Sequence, residues 1–347
     1  MQQFSLSANI EEGLSKNFQY IVTPNARDVA SGLVDGYRTG IHSFTIIGSY
    51  GTGKSSFLLA LEKDLQSKGS YSLLNPQTLS VNSKFDVLKI VGDYKDLALL
   101  MRDKLSVDGT ADNVLDRLRE IYNHAKKQGK FLVIFIDEFG KVLEHAAKNN
   151  PEQELYFMQK LAEFVNVSTR QILLVTTLHQ NFSAYARKLS ALQKEEWTKV
   201  KGRFKELVFI EPVEQLLYLA STQLKEKNEV GINAEPMEKL CQLAKTTKFV
   251  SDGFTSATAN ALYPLEPFSA YAITQAIQRY GQNERSLFSF LNAKGANSLS
   301  EYKEGFYGIA NCYDYILQNF YSYLKDANAD SMQWSSMQVA LERVEGQ

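Results

Sequence analysis

The run FLVIFIDEFG, Phe131 to Gly140, is the most apolar stretch of this chain, and it is short. A run of that length and composition suits a strand covered on both faces, as in a parallel sheet flanked by helices. Three other runs have the same character: SFTIIG (from Ser43), DVLKIVGD (from Asp86) and QILLVTTLHQ (from Gln171). A shorter one, ELVFIEP, ends at Pro212. Between them lie segments of helical spacing. KSSFLLALEKDLQSKG places Phe57, Leu58, Leu61 and Leu65 on one face. ADNVLDRLREIYNHAKKQGK reads as a helix from Asp112 or Asn113 to Gly129, and PEQELYFMQKLAEFVNVS as one opened by Pro151.

Strand alternates with helix from about residue 40 to 212, which predicts an α/β fold: a parallel sheet wrapped by helices. Beyond Pro212 only helical patterns recur, from VEQLLYLASTQLKEK through YDYILQNFYSYLKDAN to WSSMQVALERVEGQ. The expected division is therefore an α/β core over residues 1–213, with 1–40 leading into it, and a helical region over 214–347. The segment YIVTPNARDVASGL directly precedes the first core strand and is a candidate border for a bound base.

The first strand runs into GSYGTGKSS. Gly48, Gly53, Lys54 and Ser55 satisfy the phosphate-binding pattern G-x-x-x-x-G-K-[ST]. Backbone N–H groups wrap a phosphate only where side chains do not obstruct, hence the glycines, with Gly51 a third. Ser49, Tyr50 and Thr52 complete the loop. Lys54 supplies charge to the β and γ phosphates, the Ser55 hydroxyl is a ligand for Mg²⁺, and Ser56 continues the helix whose N-terminus faces the anion. The expected cofactors are ATP and Mg²⁺.

The strand FLVIFID delivers Asp137 and Glu138 at its C-terminal end, where ligands of parallel sheets bind. Asp137 is read as the second metal ligand and Glu138 as the group that orients or deprotonates the attacking water. The plainer alternative is that both acids cap a loop or pair with Lys141. Many P-loop kinases lack such a glutamate, so the doublet favours hydrolysis over phosphoryl transfer to an acceptor.

With these motifs in this order the chain resembles the AAA+ class of P-loop ATPases. The resemblance implies a polar γ-phosphate sensor after the next buried strand; Thr177 is the favoured residue, with Gln180 and Asn181 as alternates. It also implies an arginine before the last strand that reaches a neighbouring subunit's nucleotide, here Arg203 in VKGRF. The helical region would then be a lid, with Arg285 as its phosphate-contacting arginine and Arg279 as the alternate. Arg203 instead shares a basic stretch with Lys199, Lys201 and Lys205 that suits a phosphate backbone. A narrower resemblance, carried by GSYGTGKSSF, TLHQNF, VKGRF, LYPLEPFSA and GQNERSLFSFL, is to large bacterial ATPases encoded among anti-phage defence genes. The chain stops soon after WSSMQVALERVEGQ without an evident closing element, which fits a piece of a longer protein.

Composition sets limits on these readings. A formal net charge of −1 over 347 residues gives no global pull toward nucleic acid or anionic membranes. Cys241 and Cys312 stand far apart, the four histidines are dispersed, and no apolar run approaches a membrane span. The expectation is a cytoplasmic homo-oligomer with a nucleic-acid or effector-protein partner, no zinc site and no membrane association.

Overall fold

The computed structural model describes residues 9–12, 20–67, 71–225, 234–280, 287–292, 297–302, 305–326 and 330–345. They fall into two compact units, residues 1–210 and 211–347.

The first unit is built on five strands: β1 (Ser43–Ile47), β2 (Phe85–Val91), β3 (Phe131–Asp137), β4 (Ile172–Leu178) and β5 (Lys205–Val208). All pairings are parallel and the order is β2-β3-β4-β1-β5. Parallel strands need crossovers, and each crossover carries helix. Helix α1 (Pro24–Arg38) precedes β1, and α2 (Lys54–Ser67) follows it. Then come α3 (Leu97–Leu105) and α4 (Ala111–Lys127) before β3, and α5 (Phe139–Lys148) and α6 (Pro151–Val165) after it. The pair α7 (Phe182–Tyr185) and α8 (Ala191–Lys201) leads into β5.

Every residue of β3 and β4 is buried, which is why their sequences lack an alternation of apolar and polar positions. The two faces nevertheless sort by period two. Leu132, Ile134 and Ile136 pack with α3 to α6, while Phe131, Val133 and Phe135 pack in the core that holds α1 and α2. Full burial of one such phenylalanine is worth roughly 1.5–3 kcal/mol. β5, at the sheet edge, is only half-buried.

Local signals set the helix ends. Thr23 caps α1, its hydroxyl accepting from Ala26 N–H at 3.1 Å, with Pro24 in the first turn. The α4 helix begins one or two residues earlier than its spacing predicts, because Asn113 Oδ1 accepts from Thr110 N–H at 2.8 Å and closes the first turn.

The second unit is helical: α9 (Val213–Lys225), α10 (Ala234–Thr246), α11 (Ser256–Ala261), α12 (Pro267–Tyr280), α13 (Leu287–Asn292), α14 (Ile309–Asp326) and α15 (Ser331–Glu345). Its core includes Leu217, Met237, Ile273, Phe290, Tyr307 and Phe320. Cys241 and Cys312 are both buried and unbridged. Among the described residues no helix is long and apolar enough to cross a membrane.

Candidate active site

The phosphate loop joins β1 to α2. Gly48 cannot carry a side chain, because a Cβ there would run into the Phe209 carbonyl oxygen. Gly51 and Gly53 have φ of +72° and +92°, which L residues rarely adopt. Thr52 Oγ1 donates to the Ser49 carbonyl at 2.8 Å and tightens the turn. Lys54, the first residue of α2, folds back over the loop and donates to the carbonyls of Gly48 (2.5 Å) and Ser49 (2.7 Å). Burial lowers its pKa to about 8, against the opposing charges of Asp137 and Glu138. Ser55 and Ser56 follow in the first turn of α2, whose leading N–H groups have no intrahelical acceptor.

Asp137 ends β3 with only 3% of its surface exposed. Register places Thr177 beside it, since Ile136 pairs with Thr176 across β3 and β4. The Thr177 hydroxyl donates to Asp137 Oδ1 at 2.5 Å and accepts from Glu138 N–H at 2.9 Å. Glu138 has φ +51°, a left-handed conformation that costs a non-glycine residue roughly 1–3 kcal/mol and occurs at functional sites where surroundings enforce it. Its half-exposed carboxylate pairs with Lys141, the pairing that the sequence left open.

Side chains from outside the phosphate loop join it through Tyr50. The Tyr50 ring stacks on His179, 4.5 Å between centroids. Tyr185 Oη lies 3.0 Å from His179 Nδ1, and His179 Nε2 lies 3.8 Å from Glu144 Oε1. Burial, then the positive charge of Lys54, lowers the His179 pKa to about 4, so the imidazole is neutral near pH 7. Burial likewise raises Tyr50 to about 12. A histidine after a buried strand was visible in the sequence; its tyrosine partners, separated along the chain, were not.

Lys54, Asp137, Glu138 and Thr177 thus converge at the C-terminal ends of β1, β3 and β4. Arg203 lies elsewhere. Its carbonyl accepts from Ser43 Oγ at 2.6 Å, which places it at the opposite end of the strands, where β1 begins. Its guanidinium donates to Glu163 Oε1 at 2.8 Å and to the Lys199 carbonyl at 3.1 Å. That hydrogen bond, with one from Gln159, holds the Glu163 carboxyl below its ordinary range. Of the alternates, Asn181 caps α7 by accepting from Ala184 N–H, and Gln180 hydrogen-bonds Tyr185. Arg279 pairs with Asp330 at 2.7 Å, and Arg285 lies outside the described residues.

The donor set fits a magnesium nucleotide. The Ser55 hydroxyl and the Asp137 carboxylate are hard oxygen donors, and Mg²⁺ takes few protein ligands, completing its shell with phosphate and water. Among the described residues no cluster of three or more His, Cys, Asp or Glu offers a cage for another metal. The positive-φ glycines leave the loop backbone open to an anion, as a Cβ at Gly53 would meet nothing within 4 Å.

Residues 44–200 match the model of the AAA family, the ATPase family associated with various cellular activities. Over this segment the chain is similar to P-loop ATPase domains of the AAA type, and its fold is an AAA+-like arrangement of a five-stranded parallel sheet followed by helices. Similar solved structures include Aeropyrum pernix ORC2 in ADPNP–ADP complexes, at 13% identity over 72% of this chain and 70% of that one (TM-score 0.41). They also include C. elegans PCH-2, at 13% identity over 88% of this chain and 70% of that one (TM-score 0.44). Domain III of Thermotoga maritima DnaA matches at 12% identity over 69% and 91% (TM-score 0.30). At this level of likeness none of them assigns a role to a residue here. No curated protein matches the chain.

Proposed function

We propose that this chain binds and hydrolyses ATP as a homo-oligomer, each site being completed by Arg203 of a neighbouring copy, and couples hydrolysis to remodelling of, or signalling to, a partner. The observation that carries the shared site is the position of Arg203. From Ser43, beside Arg203, to Gly48 is about 16 Å along β1 at ~3.3 Å per residue, farther than an arginine side chain extends. Arg203 therefore cannot serve the phosphate loop of its own chain.

In this reading Ser55 and Asp137 would hold Mg²⁺, which would supply positive charge against the phosphates. Lys54 leaves the loop carbonyls for the phosphates. Glu138 leaves Lys141 and takes a proton from the attacking water, and a neighbour's Arg203 stabilises the charge that develops. Arg285 as a lid contact rests on the motif resemblance alone, as does a place in anti-phage defence. Turnover per copy, measured across protein concentration, tests the shared site: it should rise as copies associate, whereas constant turnover from a monomer would refute it.

A second reading, a slow nucleotide-gated switch controlling an effector, is favoured by the resting pairings of Lys54 with its own loop and of Glu138 with Lys141. Glu138→Gln separates the two. A remodelling enzyme stalls, assembled and inactive, whereas a switch stays locked in one signalling state without turnover. Nucleic acid as partner draws support from Lys199, Lys201 and Lys205, although Lys199 is paired with Glu196 and Lys201 lies 3.7 Å from Glu206. Binding of single and double strands that weakens steeply with salt would support it.

A further inference from the structure

We propose that Thr177 and Gly92 are positioning residues that clamp the Asp137–Glu138 peptide from its two sides, and that the Thr177 hydroxyl serves this clamp and makes no contact with the γ-phosphate. The proposal rests on the reading of Asp137 and Glu138 as the acidic pair of the hydrolytic site, and it assigns Thr177 a different role from the sensor that the motif resemblance implies.

A threonine hydroxyl has one proton to donate. At Thr177 that proton is engaged by Asp137 Oδ1 at 2.5 Å, and a lone pair of the same oxygen receives Glu138 N–H at 2.9 Å. Glu138 N–H also lies 3.1 Å from Asp137 Oδ1. One hydroxyl thus closes a ring through the carboxylate of one acid and the backbone of the next. Both contacts to the carboxylate fall on Oδ1, so they fix its rotation while Oδ2 takes no part in the clamp. Donation to a phosphate would require the bond to a buried carboxylate to break.

Gly92, just beyond the end of β2, holds the other side. Its N–H donates to the Asp137 carbonyl at 2.7 Å. A Cβ at Gly92 would lie 2.8 Å from the Glu138 carbonyl carbon, 3.0 Å from the Asp137 carbonyl oxygen and closer still to the Glu138 oxygen. The obstructing atoms are backbone, so nothing flexible can give way. The glycine is needed for close approach: its φ is not positive, and Asp137 and Glu138 form the surface it meets. Between these two contacts Glu138 is held at φ +51°, the conformation that ends β3 and starts α5. The clamp explains how an unfavourable backbone state persists at this residue, and it fixes the direction in which the Glu138 side chain leaves the sheet.

The test uses Thr177→Val, which keeps the shape and removes the hydroxyl, Thr177→Ser, which keeps the hydroxyl, and Gly92→Ala, which touches no phosphate-facing group. Turnover is measured against ATP and against Mg²⁺, and ATP and ADP affinities are measured separately in EDTA. Glu138→Gln and the melting temperature of every variant serve as controls. Thr177→Val and Gly92→Ala should lower kcat by about 10- to 100-fold, as misplaced catalytic groups do, with the ATP-to-ADP affinity ratio in EDTA unchanged. Thr177→Val should also raise the Mg²⁺ needed for half-maximal turnover, and Thr177→Ser should restore both. If Thr177→Val instead weakens ATP but not ADP in EDTA, the hydroxyl contacts the γ-phosphate and the proposal is wrong. If Glu138→Gln abolishes turnover while folded Gly92→Ala and Thr177→Val retain it, the clamp fails and the hydrolytic reading stands. If Glu138→Gln retains full turnover, both fail together. Should Thr177→Val not fold, Gly92→Ala and the recovery in Thr177→Ser decide the matter.

Discussion

The ring of Tyr50 lies stacked on the imidazole of His179 at an interplanar angle of 20°, tying the phosphate loop to the end of β4. A loop that must stay open to an anion is short of packing contacts, and this stack supplies one from outside the loop. Aromatic pairs contribute about 0.5–1.5 kcal/mol beyond their buried area. Tyr50→Ala should therefore lower the melting temperature by about 2–4 °C. It should also weaken ATP binding several-fold, because the freed loop must be ordered on binding. Tyr50→Phe keeps the ring and should behave as wild type. Thermal melts with and without ATP check this; an unchanged Tyr50→Ala would mean that the stack does not hold the loop.

The pKa of Lys54 is lowered from 10.5 to about 8 by burial. Between those values the unfolded chain holds more of the proton. Burial of the charged lysine therefore costs stability in full below about pH 8, and the cost fades as pH rises toward 10.5. Bound phosphate favours the ammonium form, so ATP affinity should fall as pH rises past 8, with proton uptake on binding. Calorimetry in two buffers of different ionisation enthalpy measures that uptake. Identical heats at pH 8.5 would contradict it.

Glu154, in the first turn of α6, accepts from Leu97 N–H at 3.0 Å and has its pKa raised to about 7, chiefly by burial, with Asp96 adding to the rise. A carboxyl whose pKa is higher folded than unfolded contributes stability at low pH that is lost as pH rises through the folded value. Glu154→Gln keeps the acceptor and removes the titration. It should leave stability near wild type at pH 4, below the unfolded value, and raise it at pH 8, as read by denaturant melts; equal effects at both pH values would refute the assignment.

Arg203 and Glu163 form a partly exposed pair, of a kind worth about 0–1 kcal/mol. Arg203→Ala should thus barely change the melting temperature while lowering turnover by about 10³-fold or more if the guanidinium completes a neighbour's site. Arg203→Lys should not restore it, since an ammonium lacks the forked donor geometry. A large loss of stability, or turnover near wild type, would return Arg203 to a surface role.

The phosphate loop was legible in the sequence because its requirements are local: glycines, lysine and serine at fixed spacing between a strand and a helix. Asp137 and Glu138 were legible because an unbroken apolar strand can present acids only at its end. What the pair touches was not. Thr177 lies beside Asp137 through strand register, and Gly92 approaches Glu138 through the pairing of β2 with β3, neither of which a one-dimensional pattern contains. α5 was hidden for a related reason. Phe139 and Gly140 continue the apolar run of β3, and the element changes at Glu138 through a left-handed residue that carries no glycine signature. The pairing of Arg203 with Glu163 joins α6 to the start of β5 and was likewise beyond reach of spacing alone.

The central claim is that one site is built from two copies, and mixing two inactive variants tests it most directly. Glu138→Gln keeps Arg203 but cannot activate water; Arg203→Ala keeps Glu138 but has no arginine to lend. In an equal mixture of a head-to-tail assembly, about a quarter of the sites would pair an intact Glu138 with a neighbour's intact Arg203. Turnover should therefore rise well above that of either variant alone, toward that fraction of wild type. A mixture no more active than the mean of its two components would contradict the shared site.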